Sequence, residues 1–80
     1  MTIHVLCFGH YSEAYPEPFT VELKAGATLY DALELLTKRD IQFENAKDYC
    51  RFAVNEVYAA LSNPLSEGDT LAVLPPMSGG

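Results

Sequence analysis

Few residues in this chain could carry chemistry. His4 and His10 are the two histidines, and neither has a carboxylate pair or a second ligand at useful spacing, so no catalytic triad and no metal site is predicted from them. The two cysteines, Cys7 and Cys50, lie far apart with no CxxC pattern. Cys7 falls within an apolar run, where cysteine behaves as a small hydrophobe. Cys50 has only Arg51 beside it to lower its pKa. GxGxxG, P-loop and HExxH patterns are absent, as is the cysteine set of an iron–sulfur ferredoxin. No side-chain active site is expected, which turns attention to the final stretch, "LPPMSGG". Pro75 and Pro76 stiffen the exit from the last strand. Met77 and Ser78 follow, and then Gly79 and Gly80. Glycine lets a backbone through a gap too narrow for a Cβ. Extended, these six residues would carry the Gly80 carboxylate about 20 Å from the sheet. A carboxylate is a poor electrophile, so its use demands activation by another protein, for example as an acyl adenylate. The activated group can then become an ester, an amide or a thiocarboxylate. The bland alternative is a frayed Gly-rich terminus, but a Gly-Gly placed after a rigid di-proline on a small β domain favours a working tail.

The elements that must position this tail are readable from periodicity. "TIHVLCF" (2–8) is a β-branched, apolar strand. "GHYSEAYPEP" carries the Gly and Pro marks of an exposed loop. "FTVELK" alternates, with Phe19, Val21 and Leu23 on one face, and reads as the hairpin partner of the first strand. In "AGATLYDALELLTKRD" the period changes: Leu29, Ala32, Leu33 and Leu36 form one helical stripe. Thr28 is the expected N-cap, Asp31 approximates a capping box, and Lys38 and Arg39 suit the last turn. "IQFENAKDYC" is ambiguous, with a short helical turn as one reading. "RFAVN" and "VYAAL" read as strands joined tightly at Asn55-Glu56, "SNPLSEGD" as a turn-rich connection, and "TLAVL" as the last strand, ended by Pro75-Pro76. The order β-β-α-β-β-β, with the two most apolar strands at the chain ends, predicts an α+β fold. It is a mixed sheet with a central parallel pair and one main helix across a single face, the ubiquitin-like β-grasp arrangement. Residues 1–74 form the domain and 75–80 the extended tail.

Both faces of the outer chain segments are apolar. Leu6 and Phe8 oppose Ile3, Val5 and Cys7, and Leu74 opposes Leu71 and Val73. Phe8, Leu74 and Tyr58 either make an exposed apolar contact patch or are covered by a loop or by the sheet's twist; the sequence leaves both open.

Eighty residues make one small domain, near the lower limit for a self-sufficient core, so a partner that covers apolar surface would be unsurprising. Eleven acidic against five basic residues give a net charge of −6, which repels nucleic acid and anionic membrane and favours basic surfaces. Two cysteines, no signal-like N-terminus and no membrane-length apolar run predict a soluble cytoplasmic protein.

Over nearly its whole length the sequence resembles the small subunits of molybdopterin synthase, the MoaD-type sulfur carriers of the MoaD/ThiS family. The resemblance rests on the opening strand, "KAGATLYDALELL", the "AVN" hairpin, "PLSEGD" and above all the PPxSGG tail. It departs from the family in "FGHYSEA", where Glu13 matches the acid of a frequent Arg-Glu pair but the arginine is missing. It departs again at Glu56-Val57, where a glycine or small polar residue is frequent, and at Met77, often a valine. The resemblance implies a non-catalytic, sulfur-carrying subunit with no permanently bound cofactor. A ubiquitin-activating-type adenylyltransferase would adenylate Gly80 with ATP, and a sulfur donor protein would convert it to a thiocarboxylate (1-thioglycine). The tail would then enter the large subunit of a heterotetramer and give sulfur to a cyclic pterin precursor, forming the molybdopterin dithiolene. It also implies hydrophobic docking through Phe8, Tyr58 and Leu74. The competing readings are a ubiquitin-like modifier joined through Gly80 to lysines, a carrier for a pathway such as thiamine synthesis, and a plain binding module with an incidental tail.

Overall fold

In a computed structural model, which describes residues 1–76, nine elements follow one another. They are β1 (Thr2–Cys7), α1 (Tyr11–Ala14), β2 (Phe19–Glu22), α2 (Leu29–Arg39), a 3-10 turn (Ile41–Phe43), α3 (Ala46–Tyr49), β3 (Arg51–Val54), β4 (Val57–Tyr58) and β5 (Thr70–Leu74). The sheet order is β2-β1-β5-β3-β4. β1 and β5 pair in parallel, from His4↔Thr70 to Cys7↔Val73, and the other pairings are antiparallel. This is the expected β-grasp sheet with the two terminal strands adjacent at its centre. β5 is hydrogen-bonded on both edges, and its Leu71 and Val73 are completely buried, which fixes the point from which Pro75 leaves.

The core lies between one sheet face and α2. Ile3, Val5, Val21, Leu71 and Val73 from the strands meet Leu29, Ala32, Leu33 and Leu36 from the helix. Burying a side chain of the Leu or Val class contributes roughly 1.5–3 kcal/mol, and the stripe of α2 supplies three such leucines and one smaller alanine. The helix starts where the sequence predicts. The Thr28 hydroxyl accepts from Asp31 N while Asp31 Oδ2 accepts from Thr28 N at 2.8 Å, a reciprocal capping box.

Three details differ from the sequence expectation. The segment expected as an exposed loop contains α1, and Tyr11 within it is 1% exposed. Its ring stacks on Phe43 at 5.2 Å between centroids, and Tyr15 meets both Phe43 (5.6 Å) and Phe19 (5.0 Å). The Tyr15 hydroxyl donates to Asp40 Oδ2 at 2.5 Å, tying α1 to the end of α2. Aromatic burial thus overrides the turn-forming composition. Second, β1 ends at Cys7 rather than Phe8. Third, only Val57–Tyr58 of "VYAAL" is strand, because Leu61 and Asn63 turn away to accept from Tyr30 N and Leu29 N at the start of α2. The ambiguous segment resolves into the 3-10 turn and α3, with Phe43 and Ala46 buried. No helix among the described residues is long and apolar enough to cross a membrane.

The β3–β4 turn is built from two non-glycine residues at positive φ, Asn55 (51°) and Glu56 (71°). Asn55 suits that region and is anchored: its Nδ2 donates to Asp69 Oδ1 at 2.8 Å and its Oδ1 accepts from Thr70 N at 2.9 Å. Asp69 Oδ2 accepts from Ser66 N, so one network links the hairpin to the turn that starts β5. Glu56 makes no such bond in this turn, and a left-handed side chain costs about 1–2 kcal/mol. Glu56→Gly is expected to raise the unfolding free energy by about 0.5–1 kcal/mol, the remainder being lost to glycine's greater freedom in the unfolded chain. Urea denaturation measures this.

Candidate functional site

The sheet face opposite α2 carries the candidate site. Register places Leu6 beside Ala72, Arg51 across from Leu74, and Ala53 across from Tyr58. Small side chains therefore floor the centre of this face, and large ones stand at the end where β5 finishes. Phe8, Leu74 and Tyr58, the three expected patch residues, all line one concavity of about 820 Å³ together with Pro75 and Pro76. Phe8 is 46% exposed and Tyr58 70%, so among the described residues no loop covers these two, and for them the exposed-patch reading holds. Leu74 and Pro75 are half-buried and Pro76 is exposed. Met77, Ser78, Gly79 and Gly80 lie outside the described residues.

Four further residues line the concavity that sequence reasoning did not assign to it: Gly9, His10, Tyr49 and Arg51. The Arg51 guanidinium lies 5.8 Å from the Tyr58 ring centroid, a cation–π distance. It brings a positive charge to the base of the tail on a domain of net charge −6. The signal that could have found Arg51 is its strand parity, since it shares a face with Ala53, two residues on.

The thiols are not poised for reaction. Burial pushes the Cys7 thiol from 9.0 up to about 11. The Cys50 thiol is also raised, by burial, which outweighs the lowering effect of the Tyr11 hydroxyl 3.9 Å from its Sγ. Both cysteines are half-buried rather than exposed. A folded-state pKa above the unfolded one means that the unfolded chain releases its proton first. The stability linked to Cys7 is therefore complete below pH 9 and is lost as pH rises towards about 11. Unfolding measured across that window is expected to lose stability with pH, and Cys7→Ala is expected to flatten the slope. His4 and His10 are exposed. Among the described residues no group of three His, Cys, Asp or Glu side chains could hold a metal ion.

What the arrangement offers is a stiff exit from the central strand, rimmed by exposed aromatic and aliphatic groups and one cation. The model of the ThiS family matches residues 5–80. The chain belongs to the ThiS family. Within it, this ThiS/MoaD-type chain is 32% identical over 79 residues to the molybdopterin synthase sulfur carrier subunit of Arabidopsis thaliana, a match spanning 98% of this chain and 82% of that protein. Among solved structures, SAMP1 from Haloferax volcanii, a small archaeal modifier protein, matches this ThiS-family fold with a TM-score of 0.86 at 27% identity, over 100% of both chains. A chain from the complex of subunits 1 and 2 of molybdopterin-converting factor from Helicobacter pylori 26695 matches with a TM-score of 0.70 at 27% identity, again over 100% of both chains.

Proposed function

We propose that this chain is the sulfur carrier subunit of molybdopterin synthase and that Gly80 is the residue that carries the sulfur. The observation that supports this most is that Pro75 and Pro76 follow the central strand directly and line one concavity with Phe8, Tyr58 and Leu74, while Met77, Ser78, Gly79 and Gly80 come next in the sequence. The Arabidopsis relative carries the same role in its name. A ubiquitin-activating-type adenylyltransferase joins the Gly80 carboxylate to the α-phosphorus of ATP, and pyrophosphate leaves. A sulfur nucleophile supplied by a donor protein then displaces AMP, leaving a thiocarboxylate. Its sulfur is softer and more nucleophilic than a carboxylate oxygen, and the tether raises its effective concentration at the acceptor. Phe8, Tyr58 and Leu74 dock on the large subunit, a reading supported by their lining one concavity at the base of the tail. That a large subunit is the partner is supported by the similar Helicobacter pylori chain, solved in a complex of subunits 1 and 2. Two small and two large subunits complete the enzyme, and the tail delivers sulfur to the cyclic pterin precursor to build the dithiolene.

The likeness to SAMP1 favours a second reading, in which the activated Gly80 is transferred to lysine side chains as a protein modifier. Reconstitution separates the two. The thiocarboxylated chain, mixed with the cognate large subunit and the pterin precursor, should yield the dithiolene product and return Gly80 to a carboxylate. Failure of that transfer, with Gly80–lysine adducts accumulating in cell extracts, would establish the modifier reading instead.

A further inference from the structure

Three described glycines have positive φ: Gly9 (+58°), Gly26 (+89°) and Gly68 (+82°). At Gly26 and Gly68 an added Cβ would meet nothing within 4 Å, so those two need glycine for backbone conformation alone. Gly9 is different. A Cβ there would stand 2.5 Å from Pro75 Cγ, 3.5 Å from its Cδ and 3.7 Å from its Cβ. Real Cβ atoms do not come that close, so something would have to move.

Neither side can give cheaply. A proline ring is bonded to its own backbone at both ends, so Pro75 cannot swing to another rotamer; its main chain would have to shift. Gly9 is fixed from the other direction. Its carbonyl accepts from Ser12 Oγ at 2.6 Å and Ser12 N at 3.1 Å, and the preceding Phe8 N donates to Val73 O at 3.2 Å. Two residues on, Tyr11 is locked in the core against Phe43. The aromatic cluster therefore holds α1, α1 holds Gly9, and Gly9 holds the first tail proline.

We propose that Gly9 is a positioning residue for the tail: its missing side chain is the seat of Pro75, and this seat sets the heading of the backbone at Pro75–Pro76. The consequence for sulfur transfer rests on the function proposed above. A displacement of the order of 1 Å in a tethered reactant can reduce a rate about a hundredfold, and Pro75 is the first residue of the tether.

The test compares Gly9→Ala, Pro75→Ala, the double variant and Gly26→Ala, each in the full-length chain with the activating enzyme, ATP, the sulfur donor and the large subunit. Gly9→Ala is expected to slow single-turnover sulfur transfer by about ten- to a hundredfold. Gly26→Ala, which has the same backbone demand and no neighbour, is expected to stay within about twofold of the parent. Removing the ring that the added methyl group strikes should rescue: the double variant is expected within about threefold of Pro75→Ala alone. A purely structural role for Gly9 predicts no rescue, and so a double variant slower than Pro75→Ala by the same factor as Gly9→Ala is slower than the parent overturns the proposal, as does equal slowing by Gly9→Ala and Gly26→Ala. If the parent chain accepts no sulfur, the sulfur-carrier reading fails alone. Unfolding of the same four variants then decides on the seat. Coupling of about twofold or more in the unfolding constants of the Gly9 and Pro75 variants supports it, and additivity overturns it.

Discussion

Removal of Gly79 and Gly80 is expected to abolish sulfur loading and transfer while leaving the unfolding free energy within about 0.5 kcal/mol of the intact chain. The separation follows from where the burial lies. The core runs from Ile3 in β1 to Val73 in β5, and the last strand ends at Leu74. The two glycines add no side chain that could bury area. The reacting group is the carboxylate of Gly80, so without it the activating enzyme would meet a terminus two residues short of its adenylation site. Urea denaturation and intact mass after incubation with enzyme, ATP and donor give the two readouts. Loading of the truncated chain at the parent rate would exclude Gly80 as the carrier residue, and a large loss of stability would show that the tail belongs to the fold.

The second large effect is expected at the docking face. Aromatic side chains in the centre of an interface contribute about 2 kcal/mol or more when truncated, equivalent to roughly thirtyfold in affinity. Phe8→Ser and Tyr58→Ser are each expected to weaken binding to the large subunit by about that factor, and the pair by at least a hundredfold. Phe8 and Tyr58 are 46% and 70% exposed in the free chain, so the same variants should move stability by only about 0.5 kcal/mol. Calorimetric titration against the large subunit measures the loss. Unchanged affinity in the double variant would place the interface elsewhere on the domain.

Much of the frame was legible because local and tertiary preferences agree. The Leu29, Ala32, Leu33, Leu36 stripe and the Thr28–Asp31 box specify α2, and all four apolar residues are buried as the spacing predicts. The parallel centre of the sheet followed from the two most apolar strands lying at the chain ends, and both are hydrogen-bonded along two edges. What escaped the reading was set by contacts far apart in sequence. Gly9, Pro16 and Pro18 spell a loop, yet Tyr11 and Tyr15, four residues apart, close around Phe43 and turn its first half into helix. That i, i+4 aromatic pair was the available signal. The shortness of β4 depends on the bonds from Tyr30 N to Leu61 O and from Leu29 N to Asn63 O, which periodicity does not encode.

The candidate site divides in the same way. Phe8, Leu74 and Tyr58 could be named from strand parity, and they do line one concavity. Whether that concavity was covered needed the three-dimensional structure. Gly9 could be read only as a turn residue, because its contact partner, Pro75, lies 66 positions along the chain. The Gly-Gly motif is the reverse case: legible in full as sequence, and beyond the described residues.

The most direct test of the central claim is tandem mass spectrometry of the full chain after incubation with its activating enzyme, ATP and a sulfur donor. The account predicts that one oxygen is replaced by sulfur, and that fragmentation places the sulfur on Gly80. An unchanged mass, or sulfur found on Cys7 or Cys50 instead, would contradict it.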